Sequence, residues 1–167
     1  MTNSTAAAPA KDDHARQNAA AWMDTVAQMV SALECDYDRL QELLYNEERT
    51  EEENVELREL VASVTIDGDQ MESAEAARER ITESPLSVQV RSGWTDPGAE
   101  FEAEEFEILL STGGPALRIR GELDQHKQPS RAYLQYQDWG TPWTDYLGEN
   151  MDGGALLTFY QQFYFGE

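Results

Sequence analysis

A single cysteine, Cys35, stands among 167 residues, so the chain has no intramolecular disulfide and no cysteine-based zinc site, and the composition points to a reducing compartment. Histidine is almost as scarce. His14 and His126 are too few and too far apart for a histidine-based metal site. Basic residues number 12 against 33 acids, a formal net charge of −21. A direct nucleic-acid binder needs Lys and Arg gathered on one face to meet phosphates, so that class is excluded. No stretch approaches the roughly 18 apolar residues of a membrane span. The opening residues, Met1 to Ala10, are small and polar, with no basic region ahead of an apolar run, so no secretory signal is expected. A cytoplasmic protein with no metal and no cofactor is the expectation.

With 40% hydrophobic and 10% aromatic residues, the chain can still bury a core. Residues 1–13 are polar and without an apolar period, which predicts a flexible tail. From His14 onward Trp22, Val26, Met29, Val30, Leu33, Tyr37, Leu40 and Leu44 recur at spacings of three and four, the stripe of a long helix. Thr50 and Glu53 form a capping box, which starts a helix over about 51–63 with Val55, Leu60, Val61 and Val64 on its apolar side. One continuous rod and a helical hairpin both fit residues 14–84. A shorter helix over about 73–82, with Ala74, Ala77 and Ile81 inward, ends before Pro85.

Beyond Pro85 the period becomes two. Leu86, Val88 and Val90; Phe106, Ile108 and Leu110; Leu117, Ile119 and Leu123; and Ala132, Leu134 and Tyr136 each alternate with polar neighbours, predicting four half-buried strands. Gly113, Gly114 and Pro115 make a hairpin of the middle pair. Asp152 is placed to cap a last helix, 153–165, packed on the sheet. The expected fold is therefore α+β: a 1–13 tail, an acidic helical region over 14–84, and over 85–167 a four-stranded antiparallel sheet with a C-terminal helix.

Charge is the sharpest functional signal. Residues 1–84 carry 20 acids and 7 bases, residues 85–167 carry 13 and 5. Between Glu34 and Glu59 lie 11 carboxylates against Arg39, Arg49 and Arg58. On one helix Glu48, Glu52, Glu56 and Glu59 would stack along a single face, although like charges at that spacing cost a few tenths of a kcal/mol per pair. Such a face imitates phosphates and would enter the basic groove of a DNA-handling protein. As a single rod about 39 Å long it would carry about one net charge per 5 Å, against one per about 1.7 Å in duplex DNA. A solvated face that keeps the protein soluble is the plainer explanation of the same residues, and salt adaptation, with only Lys11 and Lys127 beside ten arginines, is a third.

Other chemistries are poorly supported. Asp124, His126 and Ser130 sit in a polar connection between strands rather than in a rigid nucleophilic site. Asp67, Asp69 and Glu72 around Gly68 lack the ligand spacing of a calcium loop and read as a turn. No enzyme is expected. Aromatics crowd the last part of the chain, where most fill a core. Trp143, Tyr133 and Tyr164 are candidates for exposed contact with a dimer mate or partner.

Four strings, PLSVQVRSGW (85–94), LLSTGGPALRIRGELD (109–124), LQYQDWGTPWT (134–144) and QFYFGE (162–167), resemble a family of small acidic proteins carried on bacterial phages, plasmids and integrative elements. The likeness spans residues 30–167. The resemblance carries no catalytic residues and implies an anti-defence context, in which acidic proteins act as DNA mimics against restriction enzymes or CRISPR effectors. Combined with the charge, it predicts an inhibitor whose partner is a basic nucleic-acid-binding protein, met through Glu47, Glu48, Glu51, Glu52, Glu53, Glu56, Glu59 and Trp143. The alternative is an adaptor of a mobile element, a homodimer joined through the Trp22–Leu44 stripe and using an aromatic C-terminal surface.

Overall fold

Three helices, and neither one rod nor two, are built from the first apolar stripe and the capping box. The computed structural model describes residues 11–146 and 153–166 and runs α1 (Lys11–Leu33), α2 (Tyr37–Tyr45) and α3 (Glu51–Ser63). Apolar spacing continues unbroken through residues 34–36, so periodicity alone does not reveal the break. Asp36 makes it: its carboxylate accepts the Arg39 N–H at 3.0 Å and caps α2. Such a cap is worth about 1 kcal/mol, enough to favour a fresh helix start. The Tyr37 hydroxyl donates to the Ala32 carbonyl at 2.9 Å and fastens the junction. There Cys35 is half-buried, its sulfur accepting from the Ser63 hydroxyl at 3.3 Å. α1 begins at Lys11, three residues ahead of the expected start, and most of the expected tail lies outside the described residues.

Inward on α1 stand Ala15, Ala19, Met23, Val26, Met29 and Val30, all buried in the main core. α3 behaves differently. Its Thr50–Glu53 capping box is complete, as expected, yet none of its residues is buried and Val55 is 43% exposed. The apolar side assigned to α3 is thus only partly used. A two-residue hairpin follows, β1 (Thr65–Ile66) and β2 (Asp69–Gln70). Asp67 and Gly68 turn it with φ of +50° and +92°, the paired left-handed conformation that Asp-Gly supplies at low cost. Ser73 caps α4 (Ala74–Glu83), which buries Ala77 and Ile81.

The sheet has five strands rather than four: β3 (Ser87–Arg91), β4 (Glu105–Ser111), β5 (Ala116–Leu123), β6 (Pro129–Gln137) and β7 (Thr144–Asp145), in that spatial order and antiparallel throughout. β7, two residues long, is too short to show a period of two. Ile108, Ile119 and Leu134 lie opposite one another and form one buried face. α1 and α5 (Gly153–Tyr160) cover that face. Trp22 meets Phe159 edge-on at 6.1 Å, and Phe106 lies 4.5 Å from Phe165 and 5.7 Å from Tyr160 between ring centres. Gly121 faces Phe106 across the ladder; a Cβ there would strike that ring and the Arg131 carbonyl. The C-terminal helix packs as expected but ends at Tyr160 rather than 165, and the Asp152 cap lies outside the described residues.

The first strand departs from expectation. Val88 and Val90 pair with Ile108 and Phe106, so they belong to the core-facing side, yet they are 39% and 50% exposed and Leu86 is 60% exposed. Their alternation is real, but among the described residues the helical layer stops short of them. No helix among the described residues is long and apolar enough to cross a membrane.

Candidate acidic interface

α2 and α3 form an antiparallel arm whose geometry is set by two arginines. Arg39 on α2 reaches across to α3, donating to Glu56 through Nε at 2.9 Å and Nη2 at 2.7 Å, and to Glu42 on its own helix at 2.8 Å. This bidentate bond holds the Glu56 carboxyl below the usual carboxylate range, against a smaller upward pull from burial. Arg49, in the connection, donates to the carbonyls of Leu43 at 2.7 Å and Asn46 at 2.6 Å and to the Asn54 side chain at 3.1 Å. It ties up the free carbonyls at the end of α2 and, among the described residues, makes no ion pair with a carboxylate. Arg58, the third, donates to the Asn54 carbonyl and stands 3.6 Å from Glu51.

These bonds redistribute the expected site. Glu56, its side chain 42% exposed, is tied to Arg39 within the arm. Glu53 closes the capping box by accepting the Thr50 N–H at 2.8 Å. Glu48 is not helical at all: it lies in the connection, its N–H donating to the Asn46 side chain at 3.0 Å. The predicted stack of Glu48, Glu52, Glu56 and Glu59 therefore loses its first member, and its third is paired with Arg39. Glu51, Glu52 and Glu53 occupy the first turn of α3, where carboxylates favour the positive end of the helix dipole. That local stabilisation accounts for part of the acid run without any partner. Glu47, Glu48, Glu52 and Glu59 remain exposed and, among the described residues, have no ion-pair partner, as do Glu34 and Asp38.

Trp143 is not part of this surface. It packs under the Arg118 guanidinium, 4.1 Å from the ring centre, on the sheet face that points away from the helices. Arg118 also holds Glu107 at 2.8 Å and Gln135 at 2.9 Å. Glu105 is shared by Arg91 and Arg120, and its carboxyl stays below the usual range although burial pulls it upward. Tyr133 and Tyr164 are exposed, whereas Trp143 is half-buried. Among the other aromatics, Tyr146, Phe159, Tyr160 and Phe165 fill the core, but Trp94 and Trp139 stand in solvent.

The remaining candidates resolve into turn chemistry. Asp124 accepts the N–H groups of His126 at 2.8 Å and Gln128 at 2.9 Å, which lowers its pKa, while the Ser130 hydroxyl donates to the Glu122 carbonyl. Asp67 sits in the β1–β2 turn and faces Arg80 at 3.8 Å. Among the described residues no cluster could hold a metal ion. Most of the Trp22–Leu44 stripe is used inside the chain, with Val26, Met29, Val30 and Leu40 buried there, while Leu44 is 45% exposed. No protein-family model matches the chain, and no curated protein or solved structure does either.

Proposed function

We propose that the protein is a non-enzymatic inhibitor that presents the α2–α3 arm to the cationic groove of a nucleic-acid-processing defence protein, a restriction enzyme or a CRISPR effector, in place of DNA. The observation that carries the reading is the folding of the acid run into a hairpin. Residues 34–59 hold 11 carboxylates and three arginines. Packed alongside α3, which is about 20 Å long, that excess gives about one charge per 2.5 Å, close to the 1.7 Å spacing of duplex DNA and twice as dense as a rod would be. All three arginines are bonded within the arm, and among the described residues none forms an ion pair with Glu47, Glu48, Glu52 or Glu59. The resemblance to acidic proteins of mobile elements points the same way.

The test is capture of partners from host lysate at about 50 mM and about 500 mM salt, with duplex DNA as competitor. The expected result is a nucleic-acid enzyme that is retained at low salt, released at high salt and displaced by DNA. A variant with Glu47, Glu48, Glu52 and Glu59 changed to Lys should lose both capture and inhibition of DNA cleavage while melting as the wild type does. Undiminished inhibition by that variant overturns the proposal.

A further inference from the structure

The two edges of the sheet are finished differently. β7 offers two polar residues, Thr144 and Asp145, before the chain turns inward at buried Tyr146. β3 offers five residues, Ser87–Arg91, and among the described residues β4 is its only neighbour in the sheet. An edge strand leaves alternate N–H and C=O groups without a mate, and soluble proteins ordinarily shorten, charge or cover such an edge. Here the core-facing side of the edge carries exposed Leu86, Val88 and Val90, and the loop after it carries Trp94, fully exposed, and Phe101 at 81%. Among the described residues, backbone groups and apolar side chains are thus both left open along the same strand.

Charge identifies what belongs there. Glu83 precedes the strand, and Asp96, Glu100 and Glu104 follow it, all exposed. The nearby cations are engaged: Arg91 is held by Glu105, and Lys127 by Glu102 at 3.2 Å. A second copy would bring its own −21 against the same acids. We propose that β3 is a strand-addition site for an extended segment of a partner protein, in which alternate apolar residues are bracketed by Lys or Arg. The partner's backbone would extend the sheet, its apolar residues would cover Val88 and Val90, and its basic ends would meet the acids at either end of β3. This surface is distinct from the acidic arm and stands on separate observations.

The experiment is titration of the full chain with the peptide acetyl-KKVTVTVKK-amide, followed by amide NMR shifts. Expected are changes confined to residues 86–91 and the Trp94 indole, binding about tenfold or more weaker for the Glu-ended peptide, and loss of binding when either the valines or the threonines are N-methylated, whichever set faces β3. Equal binding of both N-methylated peptides, equal binding of the Glu-ended peptide, or shifts on α2 and α3 instead of β3 would each overturn the proposal. So would β3 shifts that depend on protein concentration without peptide, which would assign the edge to a second copy. The Glu47, Glu48, Glu52 and Glu59 to Lys variant should bind the peptide as the wild type does, so failure of the arm as an inhibitor and failure of this site are read separately.

Discussion

The sheet and the α2–α3 arm handle acidity in opposite ways. On the open face of the sheet, Glu105 and Glu107 each sit beside guanidinium groups, Arg91 and Arg120 for one and Arg118 for the other. On the arm, Arg39 is occupied by Glu42 and Glu56, Arg58 stands beside Glu51 and Arg49 is bonded to main-chain carbonyls, so among the described residues Glu47, Glu48, Glu52 and Glu59 have no ion-pair partner. The sheet is anchored by buried Phe106, Ile108, Ile119 and Leu134, whereas on α3 Leu57, Leu60 and Val61 are only half-buried. The larger apolar core therefore lies in the sheet and its helical cover. The arm has a smaller seam, with Leu40 and Leu43 of α2 buried, and polar bonds that join α2 to α3.

The largest effect that would sharpen this contrast is truncation of the sheet core. Phe106→Ala should cost about 4 kcal/mol in a denaturant melt and loosen sheet and α5 together, because the ring touches both Tyr160 and Phe165. In the arm, Arg39→Ala should leave that melt nearly unchanged and raise amide exchange across 51–63 by about tenfold, with sheet amides still protected. A global loss of stability from Arg39→Ala would break the comparison.

Acid should act on the arm through the same bond. The folded Glu56 pKa lies below its unfolded value near ~4.3, so the bond contributes stability above that value and loses it as pH falls through the folded one. Far-ultraviolet dichroism of wild type and Glu56→Gln should differ at pH 6 and converge on acidification below the carboxylate range. The smallest effects belong to the free carboxylates. Glu52→Gln and Glu59→Gln should each change stability by less than about 0.5 kcal/mol, and a larger loss in either would show that its carboxylate supports the fold.

Local chemistry was legible in the sequence wherever it is short-range. The Thr50–Glu53 box started α3 where expected, and the Gly113–Pro115 turn joined β4 to β5 as expected. What escaped depends on contacts across the chain. Apolar spacing runs through residues 34–36, and the fact that Asp36 caps a helix there is visible only from its bond to Arg39. Alternation in 86–90 identifies a strand but not whether anything covers it. Glu56 is indistinguishable from Glu52 by spacing, and only the approach of Arg39 from α2 separates paired carboxylate from free charge. The Arg118–Trp143 stack likewise joins residues 25 positions apart, which no local pattern announces.

The lone thiol sits where α1 gives way to α2, under the hydroxyl of Ser63 at the far end of α3. Since no other sulfhydryl competes for the reagent, maleimide chemistry on the native chain is addressed to that one crevice. How fast the probe attaches at Cys35 becomes a clock for the parting of those helices, and a fluorophore fixed there would watch the arm from its hinge.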